Sequence, residues 1–105
     1  MQINGKVILI MYDNPVSQPA LLKHAEKFRK GIKRMGFLNL QKSIYVKIVR
    51  NRENIATMID EVSQSAPEKG NIKMLVVPLG IFKKLINVRG EEFNMKMFAD
   101  EVIVI

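Results

Sequence analysis

Few side chains in this 105-residue chain can do chemistry. The first is Asp13. It closes the stretch KVILIMYDNP, Lys6 to Pro15, in which six apolar or aromatic residues, Val7 to Tyr12, run into one carboxylate. A carboxylate at a strand exit is a common metal ligand or catalytic group. It is equally an ordinary turn residue, because its side chain can cap the turn that follows. His24 is the one histidine, and it stands beside Ala25 and Phe28 with no catalytic acid or serine pattern near it. It reads as a helix-surface or boundary histidine, which argues against a hydrolytic triad. Cysteine is absent, so disulfides and thiolate metal sites are excluded. The six glycines are dispersed and form no phosphate loop, there is no HExxH, and the seven methionines read as core packing.

Charge is the second signal. The formal net charge is +7, and ten of the 17 basic residues lie between Lys23 and Arg52, where Glu26 is the one acid. Cations gathered over several elements point to a polyanion, nucleic acid before membrane; a solvated basic face is the plainer account. Lys23, Lys27, Lys30 and Arg34 recur at spacings of four, three and four, with Arg29 and Lys33 beside them. On a helix they form a cationic stripe about 16 Å long. These six are the candidate nucleic-acid-binding residues. No stretch approaches the ~20 apolar residues of a membrane span, so no membrane partner is expected. No charged-then-apolar leader opens the chain, the lack of cysteine fits a reducing compartment, and a cytoplasmic location is expected.

The elements that must position these residues follow from periodicity. Lys6 to Tyr12 reads as a strand apolar on both faces; Pro15 forbids its continuation as a helix. Leu21, Ala25, Phe28, Ile32 and Met35 fall on one face of a helix over about Ala20 to Met35, and Gly36 is its expected stop. Phe37 to Ser43 reads as a short strand with a bend or bulge, and Ile44 to Arg50 as a better one. Asn51 is the expected N-cap of a second helix running to about Gln64, with Glu53 complementing its dipole. Ile72 to Val77 is a fourth strand stopped by Pro78. The order βαββαβ predicts an α+β, ferredoxin-like domain over 1–78, an antiparallel four-stranded sheet with both helices on one face. The tail, 79–105, holds one or two helical turns near Ile81 to Ile86. It ends in Val102-Ile103-Val104-Ile105, which is expected to pair with a sheet edge, across a dimer.

The first strand's second apolar face needs a cover, and a second copy packed sheet to sheet would supply it. Such a homodimer also changes what Asp13 can do. One carboxylate is a poor magnesium site. Two copies of Asp13 facing each other across a two-fold axis could hold a divalent cation that polarises a phosphodiester.

Several short motifs recur in a family order: Met11-Tyr12-Asp13-Asn14-Pro15, Lys27-Phe28-Arg29-Lys30, Gly36-Phe37, Leu40-Gln41-Lys42-Ser43-Ile44-Tyr45, Asn51-Arg52-Glu53, Pro67 to Ile72, and Ile81-Phe82. With them, residues 6 to 90 resemble the small CRISPR-associated adaptation proteins, the dimeric ferredoxin-like partners of the spacer integrase, often described as CRISPR-associated endoribonucleases. KFRK followed by GFxxLQxSxY is most similar to the form found beside the single-protein RNA-guided nuclease. The resemblance implies a homodimer that bridges integrase dimers and helps hold the double-stranded DNA fragment to be integrated. It also implies a Mg2+-dependent nuclease acting on RNA or DNA, with Asp13 as metal ligand, Asp13 and Tyr12 as catalytic residues, and Tyr12 and Phe37 at motif positions near the site. Tyr12 and Phe37 are also plain core aromatics. The family's arginine-rich loop after the aspartate has no counterpart in Val16 to Ala20, and Val77-Pro78 stands where threonine is usual. Nucleic-acid contacts are therefore expected from the first helix. The scaffold role is ranked above hydrolysis; a stand-alone toxin-type ribonuclease of the same fold is the alternative.

Overall fold

The computed structural model describes residues 5–13, 19–50 and 54–98. The elements are β1 (Lys6–Asp13), α1 (Pro19–Arg34), β2 (Leu38–Gln41), β3 (Ile44–Val49), α2 (Ile55–Ser65), β4 (Asn71–Pro78) and α3 (Leu79–Phe82). The strands form one sheet in the order β2-β3-β1-β4, with each neighbouring pair antiparallel. This is the expected ferredoxin-like βαββαβ arrangement. β1 is central, as its two apolar faces require.

One side of β1, Ile8, Ile10 and Tyr12, packs with Ala25, Phe28 and Ile32 of α1 and Val62 of α2. Both helices therefore cover one face. The start of α1 follows from Pro19, whose missing amide costs nothing at a helix N-terminus. Its stop follows from Gly36, at φ 100°. There the Phe37 amide donates to the Ile32 carbonyl at 3.1 Å and the Gly36 amide to Lys33 at 3.0 Å, a Schellman closure with Phe37 and Ile32 both buried. Lys47, on the helix side of β3, adds a bond from its Nζ to the Met35 carbonyl at 2.7 Å. A cation at a helix C-terminus also complements the dipole. At α2 the cap is Asn54, whose Oδ1 accepts from the Thr57 amide at 3.1 Å, and not Asn51, which lies outside the described residues. The bulge expected between Phe37 and Ser43 is present, as a register shift between Asn39 and Gln41.

The second sheet face departs from expectation. Part of it is covered by the chain's own tail: Val7 and Val46 are buried against Leu79, Phe82 and Phe98, with Phe93 and Met95 alongside. Three rings close this smaller core, with centroids 5.1 Å apart for Phe93–Phe98 and 5.5 Å for Phe82–Phe98. The rest of that face stays open. Leu75 is 51% and Leu38 46% exposed, and Leu9, Met11 and Ile44 are half-buried. The terminal Val102 to Ile105 lies outside the described residues.

Two stability effects follow. Truncating a buried aromatic at the meeting point of tail and sheet leaves a cavity. Phe82→Ala is expected to cost about 3 kcal/mol, measured by denaturant unfolding. Gly31 sits inside α1, and a Cβ there would meet nothing within 4 Å. Gly31→Ala is expected to stabilise by about 0.5–1 kcal/mol, read as a rise in melting temperature.

Candidate nucleic-acid interface and the Asp13 groove

Asp13 is the last residue of β1, exposed, and in register with Asn71 of β4. Its neighbour Tyr12 ties this strand end to the β2–β3 hairpin: the Tyr12 amide donates to the Ser43 carbonyl at 2.8 Å. The hairpin turn is itself pinned. Ser43 has φ 69°, a left-handed conformation that an L-residue adopts at a cost of about 1 kcal/mol. Asn39 Nδ2 donates to the Gln41 carbonyl at 2.8 Å and the Ile44 carbonyl at 3.2 Å, holding the turn from within.

Between this turn, Asp13 and α1 lies an open groove of about 740 Å³. Arg29 and Lys33 line it from the helix, Lys42 and Ser43 from the turn, and Asp13 from the strand end. Glu26 shares the helix wall and lies 3.8 Å from Arg29. A pair at that distance on an exposed surface contributes little to stability.

The six candidate cations of α1 divide into two sets. Helical spacing puts Leu22, Glu26, Arg29 and Lys33 along one flank, which faces the groove. Lys23, Lys27, Lys30 and Arg34 lie along the outer surface, all exposed, away from Ala25, Phe28 and Ile32. The structure thus joins Arg29 and Lys33 to Asp13 and separates them from the other four. His24 is exposed on the same helix.

Tyr12 is 3% exposed and packs edge-to-face on Phe28, ring centroids 5.2 Å apart. Burial pushes its phenol above the ordinary tyrosine range, with the Arg29 guanidinium pulling the other way. At neutral pH the phenol keeps its proton. In one chain, therefore, its side chain serves the core, and its backbone serves the site. Phe37 is likewise buried in the helix-side core.

Sequence reasoning passed over Lys42 and Asn39. The usable signal was the two residues, Lys42-Ser43, between two strand patterns, which mark a tight hairpin and place Lys42 at the strand end opposite Asp13.

Among the described residues no group of three or more His, Cys, Asp or Glu could hold a metal ion. The carboxylates of one chain at the groove are Asp13 and Glu26. Magnesium is commonly held by one or two carboxylates, with water and substrate phosphate oxygens completing its octahedron. The donor chemistry fits such an ion when water, phosphate or a partner's carboxylate supplies the remainder. No helix among the described residues is long and apolar enough to cross a membrane.

Comparisons with known proteins agree in one direction. The family model described as CRISPR associated protein Cas2 matches residues 6–83. A CRISPR-associated endoribonuclease Cas2 of Streptococcus mutans is 33% identical over 97 residues, covering 92% of this chain and 91% of the relative. One from Treponema denticola is 28% identical over 98 residues, covering 93% and 97%. One from Campylobacter jejuni is 30% identical over 91 residues, covering 86% and 64%.

Proposed function

This chain belongs to the CRISPR-associated Cas2 family, and from that premise we propose that it is a homodimeric, DNA-holding subunit of CRISPR adaptation. In this reading it bridges integrase dimers in the cytoplasm and binds the double-stranded fragment to be integrated. The observation that carries the reading is the outer face of α1, where Lys23, Lys27, Lys30 and Arg34 stand exposed along one helix. Such a stripe tracks a phosphate backbone without reading bases, which suits a protein that must hold fragments of any sequence. The open part of the second sheet face supports the dimer. Leu9, Met11, Ile44 and Leu75 lie together around β1, and a second copy would take them from water.

A second reading, metal-dependent endonuclease on RNA or DNA, is favoured by the exposure of Asp13 beside Arg29 and Lys33 in one groove. Bound there, magnesium would act as a Lewis acid on the phosphodiester and lower the pKa of a bound water. The chain's own share is to place the Asp13 carboxylate, one from each protomer, and to hold the phosphate with the groove cations. The scaffold reading ranks first because it needs only the stripe.

The test is one reaction containing the cognate integrase, a short duplex, an array target and magnesium, with integrated product scored. Wild type, Asp13→Ala and Lys27/Lys30/Arg34→Ala are compared. Integration by Asp13→Ala and failure of the basic variant supports the scaffold. Failure of Asp13→Ala while it remains dimeric and DNA-bound reverses the order. RNA cleavage that proceeds without integrase, with no integration from any variant, marks a toxin-type ribonuclease.

A further inference from the structure

We propose that the groove along the free edge of β2 is a peptide-binding site, which takes an extended segment of another protein as an added strand and selects one that carries lysine or arginine. The proposal stands apart from the nucleic-acid reading above and uses neither the outer stripe nor Asp13.

Three features carry it. The first is the edge itself. β2 ends the sheet order, and its side away from β3 has no strand beside it among the described residues. Such an edge offers amides and carbonyls at strand spacing to an extended chain laid alongside. The second is a wall facing that edge. Residues 38–42 line one side of an open groove of about 700 Å³, and residues 89–94 of the tail line the other. The tail wall is tied from within. Asn87 Nδ2 donates to the Gly90 carbonyl at 3.1 Å, and Asn94 Oδ1 accepts from the Met97 amide at 3.1 Å. Leu40 and Phe93, one from each wall, also pack on the smaller core, which anchors both walls to the second sheet face. The groove thus pairs open backbone with apolar side chains for the alternate residues of a bound strand. The third is charge. Lys42 and Arg89 in the lining are matched by Glu91 and Glu92, so the groove is formally neutral on a chain of net charge +7. Two adjacent exposed carboxylates repel a phosphate backbone and attract ammonium or guanidinium groups. A neutral groove of mixed charge beside open strand backbone suits a peptide and not a polyanion.

The site lies away from the surfaces already described. Its apolar lining belongs to the sheet face opposite α1, so a bound peptide leaves the outer stripe uncovered. None of Leu9, Met11, Ile44 and Leu75, the open apolar residues around β1, lines it. β2 is four residues long, which limits the added ladder to a few hydrogen bonds, and weak, exchangeable binding is expected.

The experiment measures, by fluorescence anisotropy, binding to the full chain of a capped peptide about eight residues long, alternating valine and lysine, which overhangs β2 at both ends. Saturable binding is expected, with a dissociation constant of about 10–1000 μM. Successive residues of a strand turn their amides to opposite sides, so one alternate set of peptide amides meets β2 and the other does not. N-methylation of one set is expected to cost roughly tenfold or more, and of the other less than about threefold. Replacing the lysines of the peptide by glutamate, or Glu91/Glu92→Gln in the protein, is expected to weaken binding roughly tenfold with the melting temperature unchanged. Bound peptide should protect the β2 amides from hydrogen exchange and leave those of β4, the other sheet edge, as they were. No saturable binding, equal losses from the two methylated sets, or protection at β4 in place of β2 would overturn the proposal. Glu91/Glu92→Gln should leave duplex DNA affinity within about threefold of wild type. A larger gain would mark the groove as nucleic-acid surface held off by its own carboxylates, and the peptide assignment would fall.

Discussion

The Lys27/Lys30/Arg34→Ala variant is expected to bind duplex DNA roughly 100-fold more weakly than wild type near physiological salt and to give no integrated product. The three side chains are exposed, lie along one helix surface, and point away from the buried residues Ala25, Phe28 and Ile32. Each can meet one phosphate of a backbone that runs along the stripe. Releasing one condensed counterion per contact makes the logarithm of affinity fall with the logarithm of salt by about 0.9 per phosphate on a duplex. The triple variant should thus lose about 2.7 from that slope. The slope is the decisive readout, because an affinity loss from misfolding would not remove a defined amount of salt dependence. Misfolding is also not expected. Alanine is the best helix former, and the replaced residues make no buried contact. The melting temperature should hold or rise. An unchanged slope would place the DNA elsewhere, and the scaffold reading would lose the observation that carries it.

How far these residues could be read in advance depended on how periodic their surroundings are. β1 was legible because six successive apolar residues before Asp13-Asn14-Pro15 admit a buried strand and little else. α1 was legible from its four-three-four-three apolar spacing and from Gly36, and the bulge from the break of alternation after Phe37. The closing tail was not legible. Phe82, Phe93 and Phe98 are eleven and five residues apart, follow no helical or strand period, and meet through tertiary packing alone. Sequence therefore left the second face of β1 to a second copy, whereas part of it is buried within the chain. The misplaced cap at α2 has a simpler cause. Asn51 and Asn54 are both good caps, and what selects Asn54 is the Thr57 amide that its side chain reaches, a detail set by where the helix begins. The site was half legible. Asp13 and the helix cations were identifiable by type and spacing. The separation of Arg29 and Lys33 from the rest follows from 100° per residue once the buried face is fixed. Lys42 required the hairpin to be closed against β1, a pairing between residues far apart in the chain.

On the endonuclease reading, Asp13→Ala is expected to lower magnesium-dependent phosphodiester cleavage at least roughly 100-fold, while on the scaffold reading integration stays within about twofold of wild type. The loss on cleavage follows from the donor set. The groove offers Asp13 and Glu26 in one chain, and Glu26 lies beside the Arg29 guanidinium. Removing Asp13 takes the strand-end carboxylate from both protomers and leaves Glu26 of the helix wall as the groove's carboxylate, so a hydrated magnesium ion is no longer held against the phosphate from the strand end. The retention of integration follows from geometry. Asp13 is exposed at the end of a strand, and its replacement touches neither the helix-side core nor the stripe. Surface substitutions of this kind change stability by less than about 0.5 kcal/mol. Asp13→Asn sharpens the comparison. It keeps the size and hydrogen-bonding reach of the side chain and removes the charge, so it should fail in cleavage as alanine does. If the alanine variant fails in integration and the asparagine variant succeeds, the side chain acts as a turn residue, since an amide caps a turn as a carboxylate does and holds magnesium poorly. If both fail while remaining dimeric and DNA-bound, the charge itself is required for integration. The metal site then belongs to the assembly's function and not to a separate nuclease activity.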